Sequence, residues 1–133
     1  MKTPILFSFL LVLAVPLSAQ SLPDWMYGEW DGLGNQSNTQ TQWVTWMTFF
    51  KNHKTPQVEY PDLECEGYWE FQYREGDYWV FRERVTENSG QCAENDWVYV
   101  RYKSEDELEV QYAHSWGKDQ IIARLTLRKR PRA

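Results

Sequence analysis

Beyond about residue 25, apolar and polar residues alternate with a period of two, in short runs separated by turn-forming residues. That period belongs to β-strands with one buried face. Eight runs are legible, over residues 26–33, 42–50, 57–60 and 65–73, a fifth from residue 78, and then 96–103, 107–114 and 120–128. Long segments of helical period are absent, as are solenoid-type repeats and low-complexity stretches.

The fourth and fifth runs carry the clearest parity. Gly67, Trp69, Phe71 and Tyr73 alternate with Glu66, Tyr68, Glu70 and Gln72, which predicts an aromatic inner face. A three-residue turn at Glu75-Gly76-Asp77 would pair Arg74 with Tyr78, Phe71 with Phe81 and Trp69 with Glu83. Trp79, Phe81, Glu83 and Val85 then point inward, and Cys65 comes beside Glu87. The next hairpin sets Tyr102 against Leu108, Val100 against Val110 and Val98 against Tyr112. The last sets Ile121 opposite Tyr112, Ala123 opposite Val110 and Leu125 opposite Leu108. Both faces of the second run carry large apolar groups, so alternation does not choose its inner face.

Eight such runs joined mainly by short turns predict an all-β fold, an eight-stranded antiparallel up-and-down barrel. Closure removes both sheet edges. The alternative is a Greek-key sandwich, which suits the short connections less well.

Residues 1–19 read as a signal peptide: Lys2, an apolar stretch from Ile5 to Val15, then Leu17-Ser18-Ala19. Such a stretch is too short for a membrane span. The barrel domain is then 20–133, secreted or periplasmic, with no lipid-anchor cysteine after the apolar stretch. The chain's two cysteines, Cys65 and Cys92, are expected to form one disulfide in that compartment. A net charge of −5 argues against a nucleic-acid partner.

Eight tryptophans and eight tyrosines pose a choice between a solid aromatic core and a ring-walled site. Glu83 is the one acidic side chain the register sends inward, so it must be paired, protonated or hydrated. One reading is a structural pair with a tyrosine hydroxyl (Tyr73, Tyr102 or Tyr112) or an arginine. The other is an anchor for a polar or cationic ligand group, with Trp69, Trp79, Tyr102 and Tyr112 as walls. Trp43 and Trp46, beyond the polar loop 34–40, are candidates for the rim. On the outside, Arg82, Arg84, Trp97, Tyr99 and Arg101 would point out together with Tyr78. They form either a self-stacked ladder or a docking surface. No second inward acid, metal-ligand spacing, nucleophile motif or phosphate loop is found. No catalytic residue, metal or cofactor is therefore expected.

Gly28-x-Trp30 on the first strand, with Arg128 on the last, resembles the lipocalin and avidin group of calycin barrels. The resemblance implies that Trp30 closes one barrel end and Arg128 packs over it. A second pattern joins Tyr60-Pro61-x-Leu63-x-Cys65-x-Gly67-x-Trp69, Phe81-x-Glu83-x-x-Thr86, Cys92 and Ala123-x-Leu125-Thr126-Leu127-x-Lys129. It is similar to small exported bacterial domains of lipocalin-like appearance, some alone and some following a membrane-anchored kinase. It implies a fold and a compartment, and no ligand. The expected function is a binding barrel for a small hydrophobic, aromatic or sugar-like ligand. The alternative is an interaction or inhibitor module with a solid interior, whose outer face meets an envelope protein.

Overall fold

The computed structural model describes residues 22–131 apart from 38, 40, 52, 89, 91, 93, 94, 116, 118 and 119. The expected signal peptide lies outside the described residues. Eight strands follow in order: β1 (Gly28–Gln36), β2 (Gln42–Phe49), β3 (Gln57–Tyr60), β4 (Cys65–Glu75), β5 (Tyr78–Glu87), β6 (Trp97–Ser104), β7 (Glu107–Ala113) and β8 (Ile121–Lys129). Each pairs antiparallel with the next, and β1 pairs with β8, so the sheet closes as an up-and-down barrel. Among the described residues no helix is long and apolar enough to cross a membrane.

The β4–β5 hairpin departs from the expected register near its tip. The turn has two central residues, with Glu75 opposite Tyr78, and Gly76 adopts φ +61°, as a primed hairpin turn requires. An irregularity between Phe71 and Tyr73 absorbs the offset, so Phe71 still meets Phe81 and Trp69 still meets Glu83. The bulge reverses parity beyond it. Tyr73 therefore joins an outer cluster with Tyr78, Val80 and Tyr99 instead of the barrel interior. A second irregularity puts Glu66, not Cys65, opposite Glu87.

The β6–β7 register is the expected one. Between β7 and β8 the strands are displaced by two residues: Tyr112 meets Ala123, Val110 meets Leu125 and Leu108 meets Leu127. A shift of two keeps every side chain on its face, so the apolar pattern alone tolerates either register. Thr45, Met47 and Phe49 are buried, which selects the inner face of β2.

The interior is solid over one half. Trp30, Met47, Phe49, Trp69, Phe81, Leu108 and Leu127 are all essentially inaccessible. An eight-stranded barrel is just wide enough for side chains to fill it. The chain before β1 seals the same end. A 3-10 turn at Asp24–Met26 buries Leu22 and Met26 in the core, and Trp30 Nε1 donates to the Met26 carbonyl at 2.9 Å. Trp25 meets Trp79 and Tyr102 edge-on at 6.5 and 5.4 Å. Trp30 thus closes this end, but the cation over its ring is Lys129, at 5.5 Å. Arg128, one residue earlier, is exposed and pairs in register with Asp31. Alternation along β8 turns Arg128 outward, so it does not pack over Trp30.

Candidate functional site

The opposite end holds a pocket of about 360 Å³, where β1, β3, β5 and β7 finish and β2, β6 and β8 begin. Gly34 makes room for its tryptophan wall: a Cβ there would fall 2.3 Å from the Trp43 ring. Trp43 meets Tyr112 edge-on at 6.1 Å. Leu63, Ile122 and Ala123 add apolar lining, and Gln36 and Thr41 are polar.

Glu83 lines this pocket although only 3 % of it is exposed. Its Oε2 accepts a very short hydrogen bond from the Tyr60 hydroxyl and another from Trp69 Nε1 at 2.8 Å. Tyr60 and Tyr112 hydroxyls lie 3.2 Å apart. Tyr60's single proton is committed to Glu83, so Tyr112 donates to Tyr60. Burial pushes the Glu83 carboxyl up to about 7, against the pull of the two donors, and the charge of Asp96 adds to the rise. Burial, followed by the Glu83 charge, also raises both tyrosine hydroxyls well above their ordinary range, so they remain donors. The expected tyrosine partner exists, but it is Tyr60, reached through β3, and not Tyr73 or Tyr102.

A second acid completes the pocket. Asp96 is buried, and His114 Nδ1 lies 2.6 Å from its Oδ1. Burial raises the Asp96 carboxyl, opposed by His114 and then Arg82. Backbone hydrogen bonds between Asp96 and Glu83 (2.9 Å) and between Asn95 and Glu83 (3.0 Å) anchor this stretch to β5. The disulfide Cys65–Cys92, with Cα atoms 6.5 Å apart, ties the β5–β6 loop to the start of β4 and places Cys92 on the pocket wall. Asp62 Oδ2 accepts from the Val44 amide at 2.9 Å and fixes the turn bearing Leu63 against β2.

The structure thus brings Glu83, Trp69 and Tyr112 together and separates them from Trp79 and Tyr102. Trp79 packs at the sealed end against Phe71. Tyr102 keeps its expected place opposite Leu108 but sits on the rim of that end, 50 % exposed, with Trp25 edge-on to its ring. Trp46 also lies away from the pocket, exposed, with Arg130 over its ring. Tyr60, Asp96 and His114 were not singled out from the sequence as pocket residues. Alternation held the signal for two of them: Asp96 continues the face of Val98 and Val100, and His114 continues the face of Leu108, Val110 and Tyr112. Among the described residues no group of three His, Cys, Asp or Glu side chains is placed to hold a metal ion.

The outer group assembles as a ladder. Arg82 stacks over Trp97 at 4.3 Å, and Arg101 lies over Tyr78 at 5.2 Å while pairing with Glu109 at 2.8 Å. Arg84 bonds Asn95 and reaches Glu70 at 3.4 Å. Tyr99 is fully buried, its hydroxyl accepting from the Gly117 amide at 3.0 Å. The β7–β8 loop therefore covers part of the face that the sequence predicts to be open.

No protein-family model matches the chain, and no curated protein does. Its structure is similar to that of a de novo designed fluorescence-activating β-barrel, with a TM-score of 0.53 and 12 % identity. That match covers 80 % of this chain and 94 % of the designed one. At this identity the likeness concerns the fold alone.

Proposed function

We propose that this protein is an exported, lipocalin-like binding barrel that takes one small ligand into the pocket above Glu83. One observation carries the reading: a buried, hydrogen-bonded carboxylate lies on the wall of a partly aromatic pocket in a barrel whose other half is packed solid. Ligand sites have this composition, mostly apolar walls with a few fixed polar groups. The designed barrel of similar fold is described as fluorescence-activating, which is compatible with small-molecule binding. Export to a secreted or periplasmic location is supported by the leader-like residues 1–19 and by the disulfide. The reading is of a binder, with Glu83 and the tyrosine hydroxyls as fixed polar contacts for the ligand.

On β5 and β6 the ladder's arginines stack on Trp97 and Tyr78 or pair with Glu70 and Glu109, and Tyr99 is buried, so the outer-face alternative is the weaker one. The test is an amide-shift titration with a panel of small aromatic, aliphatic and sugar compounds. Shifts should cluster on Trp43, Tyr60, Glu83, Tyr112 and Ala123. An Ala123→Trp change, which fills the pocket, should abolish them. Shifts confined to Trp97 and Arg82, or unaltered by Ala123→Trp, would overturn the assignment.

A further inference from the structure

We infer that the pocket selects a small organic cation, a protonated or quaternary amine carried on an apolar or aromatic body. This rests on the binding function proposed above and names the ligand class. Among the described residues the lining includes two carboxylates, Glu83 and Asp96, and no lysine or arginine. Its ionisable nitrogen belongs to His114, which is held by Asp96. An anionic ligand would meet the like charges of Glu83 and Asp96, and burying it beside them is costly.

The geometry around Glu83 points the same way. Both hydrogen bonds that reach its carboxylate from described residues end on Oε2. Oε1 is the oxygen left for a ligand N–H, and a charge-assisted bond of that kind is among the stronger ones. The aromatic walls suit the same guest. Trp43 and Tyr112 both line the pocket, and a cation near an aromatic face gains further attraction where water is excluded. Leu63, Ile122 and Ala123 leave room for the apolar body of the ligand.

Proton linkage follows. The groups facing Glu83 are Tyr60 from β3, Trp69 from β4, Tyr112 from β7 and Asp96 at the start of β6. With a carboxyl poised at about 7, a cation binds the ionised form and displaces the proton. Affinity should rise with pH and level off above that value.

The experiment compares three probes of one scaffold by calorimetry on the intact chain: phenethylamine, phenethyl alcohol and 3-phenylpropanoate. The amine should bind at least about tenfold more tightly than the alcohol, as expected for a hydrogen bond to a charged group. The propanoate should not bind, and the amine's affinity should fall between pH 8 and pH 5. A Glu83→Gln chain should lose the preference for the amine while still accepting the alcohol. Should the alcohol or the propanoate bind as well as the amine in the unmodified chain, the cation inference is overturned while the binding function stands. Should none of the three bind, the inference also fails. The proposed function falls with it only if the wider panel shifts no lining residue.

Discussion

The two ends of this barrel are built from the same eight strands and do opposite things. At one end the chain before β1 folds back as a stopper. Met26 and Leu22 are buried, Trp30 bonds the Met26 carbonyl, and large side chains leave no space. At the other end the described residues form no such stopper, and the space is lined by Glu83, Asp96, Tyr60, Tyr112 and Trp43. The lesson concerns how polarity is distributed. The sealed half spends its interior on hydrophobic burial. The open half keeps two carboxylates away from water, which raises their protonation instead of strengthening the fold.

Mutations should separate the two ends. Trp30→Ala removes a fully buried indole from the sealed end and should lower stability by about 3–5 kcal/mol in urea denaturation. Trp43→Ala, at a half-buried wall position, should cost less than half as much while abolishing ligand-induced shifts. Equal losses at the two sites would erase the distinction drawn here.

The disulfide comes next in size. Opening the Cys65–Cys92 link, which closes a 27-residue separation, should cost roughly 3 kcal/mol by loop-closure entropy. Because Cys92 lies on the pocket wall, reduction should also speed amide exchange near Asp96 and leave Trp30 protected. Exchange that quickens evenly at both ends would contradict this.

Glu83 gives a comparable effect of opposite sign. Its folded pKa of about 7 exceeds the ordinary 4.5, so the native state holds the extra proton between those values. The associated stability is fully present below about pH 4.5 and is lost as pH rises through 7. It is on the order of 3 kcal/mol at about 1.4 kcal/mol per pKa unit. The raised Asp96 acts in the same direction. Glu83→Gln should therefore melt higher than the parent at pH 8 and flatten the decline between pH 5 and 8. Parallel melting curves for the two chains across that range would refute it.

The smallest effect is expected at Thr45, whose buried Oγ1 has no hydrogen-bond partner among the described residues. Thr45→Val should raise stability by about 1 kcal/mol in the same urea assay. A loss would mean that the hydroxyl is used.

Much of this was legible in the residues. Phe71 against Phe81, Trp69 against Glu83 and Val98 against Tyr112 follow from alternation and turn position, and all three pairs are present. The departures have separate local causes. Tyr73 went outside because a bulge next to it reversed parity, and β8 slid by two residues because that slide costs no change of face. Lys129 replaced Arg128 over Trp30 for the related reason that one residue along a strand changes sides. The candidate site was half visible. Glu83, Trp69 and Tyr112 stood out, whereas Asp96 and His114 are the end residues of their runs, where alternation alone does not tell a buried position from the start of a loop.

The amino-acid sequence by itself determined the eight strands, most of their inner faces, the cysteine pair and the buried position of Glu83. These depend on a two-residue period and on neighbours joined by short turns, which are local properties. The tertiary structure alone decided which end is stoppered, which tyrosine holds Glu83 and where the second acid lies. Tyr60, Glu83 and Tyr112 meet across separations of 23 and 52 residues. Contacts of that reach depend on bulges and closure register, which no single strand's pattern encodes.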